Sequence, residues 1–153
     1  MSGKLTYKES GVDTREAAAL VGDIGTHVRR TQQQRKLHGA FGLFAACFDL
    51  SDYKQPVIVT GCDGVGTKID ILLEKKEYGI AGKDLVAMSV NDIITTGGDP
   101  LMFLDYIGIA ALDKVMITEL IAGMCDYLES CGCILAGGET AEMPGIVPEE
   151  VVE

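Results

Sequence analysis

With 153 residues, 47% of them apolar and 24% charged, the chain can bury a core without disulfides or structural metals, which excludes a disordered segment or a disulfide-stapled miniprotein. Its formal net charge of −10, with no Lys/Arg stripe interleaved with aromatics, excludes nucleic acid as a partner. A nucleotide is still permitted, because carboxylates reach phosphates through magnesium.

Residues 1–8 are polar and lack the apolar centre of a signal peptide, and no apolar run approaches a bilayer span, so no membrane partner and a cytoplasmic location are expected. The five cysteines, Cys47, Cys62, Cys125, Cys131 and Cys133, are odd in number and show no C-x-x-C spacing; they read as reduced, mostly buried thiols. A zinc site on Cys131 and Cys133 would need two more ligands, and His27 and His38 are distant in sequence. Those histidines read as surface or capping residues.

In chain order, Asp13 followed by Glu16 resembles a capping box, and Ala17, Leu20, Val21, Ile24 and Val28 recur at helical spacing, predicting a helix over 14–30. Residues 31–36 read as a loop, 41–50 and 56–60 as strands, and 51–55 as a turn between them. A short helix is expected over 68–76, with Ile69, Leu72 and Leu73 on one side. A second helix fits 84–96, stopped by Gly97 and Gly98. Residues 101–111 form an apolar strand, and Ile117, Leu120, Ile121, Met124 and Leu128 mark a third long helix ending near Gly132. A last strand is expected over 133–136. This order predicts an α+β domain, a mixed β-sheet packed with helices, spanning 1–153 as a single unit.

Four places carry charge where chemistry could use it. The run Gly61-Cys62-Asp63-Gly64-Val65-Gly66-Thr67-Lys68 offers tight turns and exposed amides, but Thr67 precedes Lys68 and an acid sits inside the loop, so it is not a Walker-type phosphate loop. It suits metal-bridged phosphate, with Asp63 as carboxylate, Thr67 as hydroxyl ligand and Lys68 as counter-charge; the plainer alternative makes Asp63 a helix cap. Asn91-Asp92 lies in an otherwise apolar helix, where Asp92 shares a face with Leu85, Met88 and Ser89. A partly desolvated carboxylate there would face a cleft, bind a cation or hydrogen-bond to backbone.

The third place is Gly137-Gly138-Glu139-Thr140-Ala141-Glu142-Met143-Pro144-Gly145. Its glycine pair would bend the chain where the strand ends and present Glu139 and Thr140 at the sheet edge; alternatively Thr140 caps a helical turn with Glu142 solvated. Asp105, between Leu104 and Tyr106 in an apolar strand, is either paired or functional.

Together, Tyr7-Lys8-Glu9-Ser10-Gly11-Val12-Asp13, the Asp63 loop, Asn91-Asp92, Phe103-Leu104-Asp105-Tyr106 and the 137–145 stretch resemble the phosphoribosylformylglycinamidine cyclo-ligase family, also called aminoimidazole ribonucleotide synthetases. The resemblance covers this whole chain but only the first half of the family's proteins, which continue into a second, carboxy-terminal α/β domain; that domain is expected to be absent here. It implies an ATP-binding amino-terminal domain that forms a homodimer, its sheets pairing into a barrel. It implies ATP and Mg2+ as cofactors and formylglycinamidine ribonucleotide as substrate. Asp63, Asp92 and Glu139 would be the magnesium-phosphate carboxylates, with Asp63, Lys68 and Asp92 catalytic. Lys8, Gly64, Gly66, Thr67, Lys68, Asn91, Asp105 and Thr140 would surround the nucleotide, and Lys8 with the Tyr7 segment would fold over it as a lid.

In that family ATP phosphorylates the formyl amide oxygen, the amidine nitrogen attacks the same carbon, and phosphate leaves as the ring closes. Such chemistry requires chiefly positioning and charge neutralisation at the γ-phosphoryl group. Cys62 departs from the family, which usually has a hydroxyl residue there, and the tail 146–153 lacks the usual aromatic and glycine-rich continuation. A thiamine-monophosphate kinase, a selenophosphate synthetase or a hydrogenase-maturation protein would share the fold and the acidic metal logic. A non-catalytic dimerisation domain would use the glycine loops only as turns.

Overall fold

A computed structural model describes residues 14–39, 41, 45–148 and 152. The Tyr7–Asp13 segment, Lys8 and the Asp13 half of the capping box lie outside the described residues. The first helix, α1 (Thr14–Gln32), buries Leu20, Gly25, Val28 and Thr31. It extends two residues beyond the expected end, while Val21, counted towards its apolar stripe, is exposed.

The connection from α1 leads into a two-residue strand β1 (Leu37–His38), which pairs antiparallel with β2 (Cys47–Phe48). The expected strand over 41–50 is thus confined, among the described residues, to Cys47 and Phe48. Residues 56–60 form no strand at all. Their β-branched composition suits a sheet, but strand preference is a preference for neighbours, and Val57 and Ile58 remain 87% and 63% exposed.

After the glycine loop, α2 (Lys68–Glu74) forms close to where the sequence placed it. The backbone N–H groups of Lys75, Lys76 and Glu77 then bond back to the carbonyls of Ile71, Leu73 and Leu72, and Lys76 adopts φ +56°. That turn launches α3 (Tyr78–Thr95), six residues earlier than expected. Gly97 at φ +78° terminates the helix as the sequence suggested.

The centre of the fold is the unit β3 (Met102–Ile109), α4 (Lys114–Ser130), β4 (Ile134–Glu142), with the strands parallel. Asp113 caps α4 by accepting from the Met116 amide at 3.0 Å. The expected single mixed sheet is therefore corrected to two separate two-stranded sheets among the described residues, one antiparallel and one parallel. The core joins Ile107 and Ile109 of β3 to Ile117, Ile121, Met124 and Leu128 of α4, with Val86 and Val90 from α3 and Leu20 and Val28 from α1. The other face of β3 leaves Met102, Leu104 and Tyr106 46%, 65% and 54% exposed. Parallel strands are normally covered on both faces.

Thr31, fully buried, connects α1 to the sheet: its Oγ1 donates to the Val28 carbonyl at 2.8 Å and accepts from the Leu135 amide at 3.0 Å. Thr31→Val keeps the shape but strands a buried amide, so a loss of about 1–3 kcal/mol in urea unfolding is expected. A loss below ~0.5 kcal/mol would show that Leu135 finds another acceptor.

Candidate functional site

A cleft of about 1160 Å³ runs between the extended segment 56–66, the cleft-facing side of α3 (Leu85, Ser89 and Ile93) and β3. It is larger than most small-molecule sites. Asp63, Gly64, Gly66 and Asp105 line it. Thr67 and Lys68, at the start of α2, and Asn91 and Asp92, on α3, lie on elements that border it, whereas no residue of β4, and so neither Glu139 nor Thr140, is among its lining residues. Lys8 is outside the described residues.

The loop owes its path to local chemistry. Asp63 accepts the Gly64 amide through Oδ1 at 2.8 Å, and Gly66 turns at φ +77°, which a side-chain-bearing residue rarely adopts. The residue preceding α2 is Thr67, whose side chain makes no capping bond. Asp63 is therefore not the cap of α2, and that alternative is withdrawn. Its carboxylate keeps lone pairs beyond the one held by Gly64. Lys68, the first residue of α2, places Nζ 3.1 Å from Asp84 Oδ2 on α3.

Asp92 was expected to be partly desolvated; it is exposed, as is Asn91. The reason is position along the helix: the buried residues of α3 are Ala81, Gly82, Val86, Ser89 and Val90, and beyond Val90 the last turn has no core beneath it, so Asn91, Asp92, Ile94 and Thr95 are all exposed. A Cβ at Gly61 would stand 3.7 Å from Asp92 Cβ and 3.6 Å from Ile93 Cδ1. The glycine loop thus packs directly on the turn of α3 that carries Asp92, two residues from Asp63.

The glycine pair 137–138 does not bend the chain, contrary to expectation. β4 continues through it to Glu142, pairing Asp105 with Gly138, Tyr106 with Glu139 and Ile107 with Thr140. Gly138 is needed because a Cβ there would collide with the Asp105 carboxylate, its Oδ2 being 2.8 Å away. Thr140 lies in this strand and caps no helical turn. Glu142 is not merely solvated either: Oε1 accepts the Leu112 amide at 2.9 Å, tying the end of β4 to the approach to α4.

Asp105 is half-buried. Burial, assisted by repulsion from Glu139 and opposed by a hydrogen bond to its own backbone, raises its pKa from 3.8 to about 7. Between those values the folded chain holds a proton that the unfolded chain releases. Stability therefore falls as pH rises through that window and levels off above about pH 7. Asp105→Asn is expected to flatten this slope and to stabilise the chain at pH 8 by on the order of 2–3 kcal/mol, a value reduced for partial exposure. Urea midpoints at pH 5 and pH 8 measure it, and parallel slopes in the two proteins would refute it.

Among the described residues no three His, Cys, Asp or Glu side chains stand together as a metal-binding group. Asp63, Asp92 and Glu139 are accordingly not a ready-made ligand set within one chain, and Cys131 and Cys133 have no zinc partners there. Magnesium bound with phosphates takes only one or two carboxylates and keeps waters, so the exposed Asp63 and Asp92 flanking Gly61 fit that demand. All five cysteines are free, but Cys47 and Cys62 are exposed, which corrects the expectation of mostly buried thiols. Cys125 and Cys133 are buried, and burial pushes both thiols up to about 12. His38 is exposed, 3.3 Å from Asp49, and no helix among the described residues is long and apolar enough to cross a membrane.

Sequence reasoning missed Asp84, Glu142 as a structural acceptor, and the fit of Gly138 to Asp105. The only signal for Asp84 was its place in the same helix as Asp92.

Residues 43–152 match the family model described as AIR synthase related protein, N-terminal domain. Over 147 residues the chain is 46% identical to a protein of Oceanobacillus iheyensis named phosphoribosylformylglycinamidine cyclo-ligase, with 94% of this chain and 43% of that protein covered. A protein of the same name from Chromobacterium violaceum is 46% identical over 145 residues, with 94% and 42% covered. The chain spans less than half the length of these curated relatives.

Proposed function

Because the chain belongs to the AIR synthase related family, matching its N-terminal domain, we propose that it supplies the ATP-binding half of a phosphoribosylformylglycinamidine cyclo-ligase, closing the imidazole ring in purine biosynthesis. The observation that supports this most is the packing of Gly61 against Asp92. It sets the Asp63 loop, which lines the cleft, beside the turn of α3 that carries a second carboxylate. Bound magnesium would neutralise the polyphosphate, held by Asp63 and Asp92, with Glu139 as a further acid on β4.

The protein's own groups then do the positioning. Amides around Gly64 and Gly66 and the Thr67 hydroxyl contact phosphate oxygens, Lys68 offsets charge on the γ-phosphoryl group, and Asn91, Asp105 and Thr140 border the nucleotide, with Lys8 closing over it. Transfer of that phosphoryl group to the formyl amide oxygen turns a poor leaving group into phosphate. The amidine nitrogen attacks the same carbon, and the C–O bond breaks as phosphate departs.

The open face of β3, with Met102, Leu104 and Tyr106, and the unpaired Val57 and Ile58 support a homodimer whose sheets join into a barrel, which we place in the cytoplasm. The relatives are more than twice as long as the part matched here, and we propose that their remaining half completes the ribonucleotide site. The test is ring closure from formylglycinamidine ribonucleotide, ATP and Mg2+, by this chain supplemented with the relatives' carboxy-terminal half. Product and phosphate in equal amounts are expected. Phosphorylation of thiamine monophosphate in its place would overturn the assignment.

A further inference from the structure

We infer that Asp84 is a positioning residue for Lys68, fixing the ammonium at the end of the glycine loop so that it meets a nucleotide's phosphates already oriented. This inference rests on the nucleotide-binding role proposed above.

The ion pair is the specific tie between two elements that the core does not lock together. α2 has no fully buried residue, so packing alone leaves its position over α3 weakly determined. Lys68 Nζ lies 3.1 Å from Asp84 Oδ2, with the two side chains 44% and 32% exposed. Pairs this exposed contribute little to stability, commonly under about 1 kcal/mol, so stability is a poor reason for placing one here. Geometry is a better one. Lysine has four rotatable carbons and loses much rotamer freedom when it must find a ligand. An ammonium has three donors; one given to Asp84 leaves two for phosphate oxygens and sets their direction.

Asp84 stands in the second turn of α3, and Asp92 lies two turns further on. One helix therefore carries both the tether for the lysine and the carboxylate beside Gly61. The loop 61–66 starts beside Asp92 and Ile93, where Gly61 leaves room for no more than one further carbon in van der Waals contact, and is tied just past its end by the Lys68–Asp84 pair.

The sign of one substitution separates positioning from simple charge. Removing a carboxylate near a polyanion tightens binding on Coulombic grounds alone. If Asp84 positions Lys68, Asp84→Asn instead weakens binding of Mg·ATP, by about tenfold, as removal of an orienting partner commonly does. Isothermal titration of this chain with Mg·ATP measures it, with urea unfolding to verify that the variant is folded. Asp84→Glu, which restores the carboxylate, should recover most of the affinity. In a Lys68→Met background, Asp84→Asn should cause no further loss.

Unchanged or tighter binding in Asp84→Asn would overturn this inference while leaving the nucleotide site intact. So would a further loss in the Lys68→Met background, which would show Asp84 acting independently of the lysine. Failure of the unsubstituted chain to bind Mg·ATP would overturn both readings together.

Discussion

Asp63→Asn and Asp92→Asn should each weaken magnesium-dependent ATP binding by at least about 30-fold, near 2 kcal/mol, while leaving the unfolding midpoint within experimental error. Neither side chain supports the fold. Asp63 spends one oxygen on the neighbouring Gly64 amide, which an asparagine oxygen can also accept, and Asp92 is exposed on the flank of α3. What the amides lose is charge. A magnesium ion bridging phosphates depends on a small number of hard anionic oxygens, and replacing one with a neutral carbonyl weakens the whole metal–phosphate unit. Binding measured with EDTA in place of magnesium should be weak in all three proteins and nearly equal. Variants that bind Mg·ATP as well as the unsubstituted chain would remove Asp63 and Asp92 from the site.

The second large effect lies in the scaffold. Gly82→Ala is expected to destabilise the chain by on the order of 3 kcal/mol or more, at the upper end of overpacking costs. A Cβ at Gly82 would strike the Leu120 carbonyl and come 2.8 Å from the Met124 amide. These are backbone atoms of α4, which no rotamer change can move aside. Gly123 meets the backbone of Gly79 in the same reciprocal manner, so the two helices approach through paired glycines. Relief would require α3 to shift from α4, carrying Val86 and Val90 out of the core they share with Leu120 and Met124 and displacing Asp84 and Asp92 from the loop. Guanidinium or urea titration with far-UV circular dichroism measures the loss. A change under ~1 kcal/mol would mean the helices slide without cost.

Those glycines also explain where the sequence was hard to read. The helix was expected over 84–96, which left Gly79 and Gly82 outside it and put Asp84 at its first position. With the helix beginning at Tyr78, Asp84 falls in its second turn and reaches Lys68. Nothing in local spacing reveals that, because the reason for the glycines lies in a helix some forty residues away. The same applies to Gly138: as part of a glycine pair it suggested a bend, whereas its cause is the Asp105 side chain on the neighbouring strand.

Elements whose pattern is self-contained were legible. The stripe from Ile117 to Leu128 marked α4, Gly97 marked the end of α3, and the apolar run 101–111 marked β3, which forms over Met102–Ile109. The segments 41–50 and 56–60 have strand composition, but strand formation needs an edge to pair with, and the described part of one chain supplies little. Asp63 and Asp92 were singled out from loop chemistry and from charge in an apolar helix. Their proximity through Gly61 required the fold.

The most direct measurement is a crystal structure of this chain with a non-hydrolysable ATP analogue and manganese, the metal located by its anomalous scattering. The expected map has the metal between the Asp63 and Asp92 carboxylates and the triphosphate, with the phosphates over Gly64 and Gly66 and Lys68 donating to them while retaining Asp84. Density for the nucleotide elsewhere, with Asp63 and Asp92 directed into solvent and no metal beside them, would contradict it.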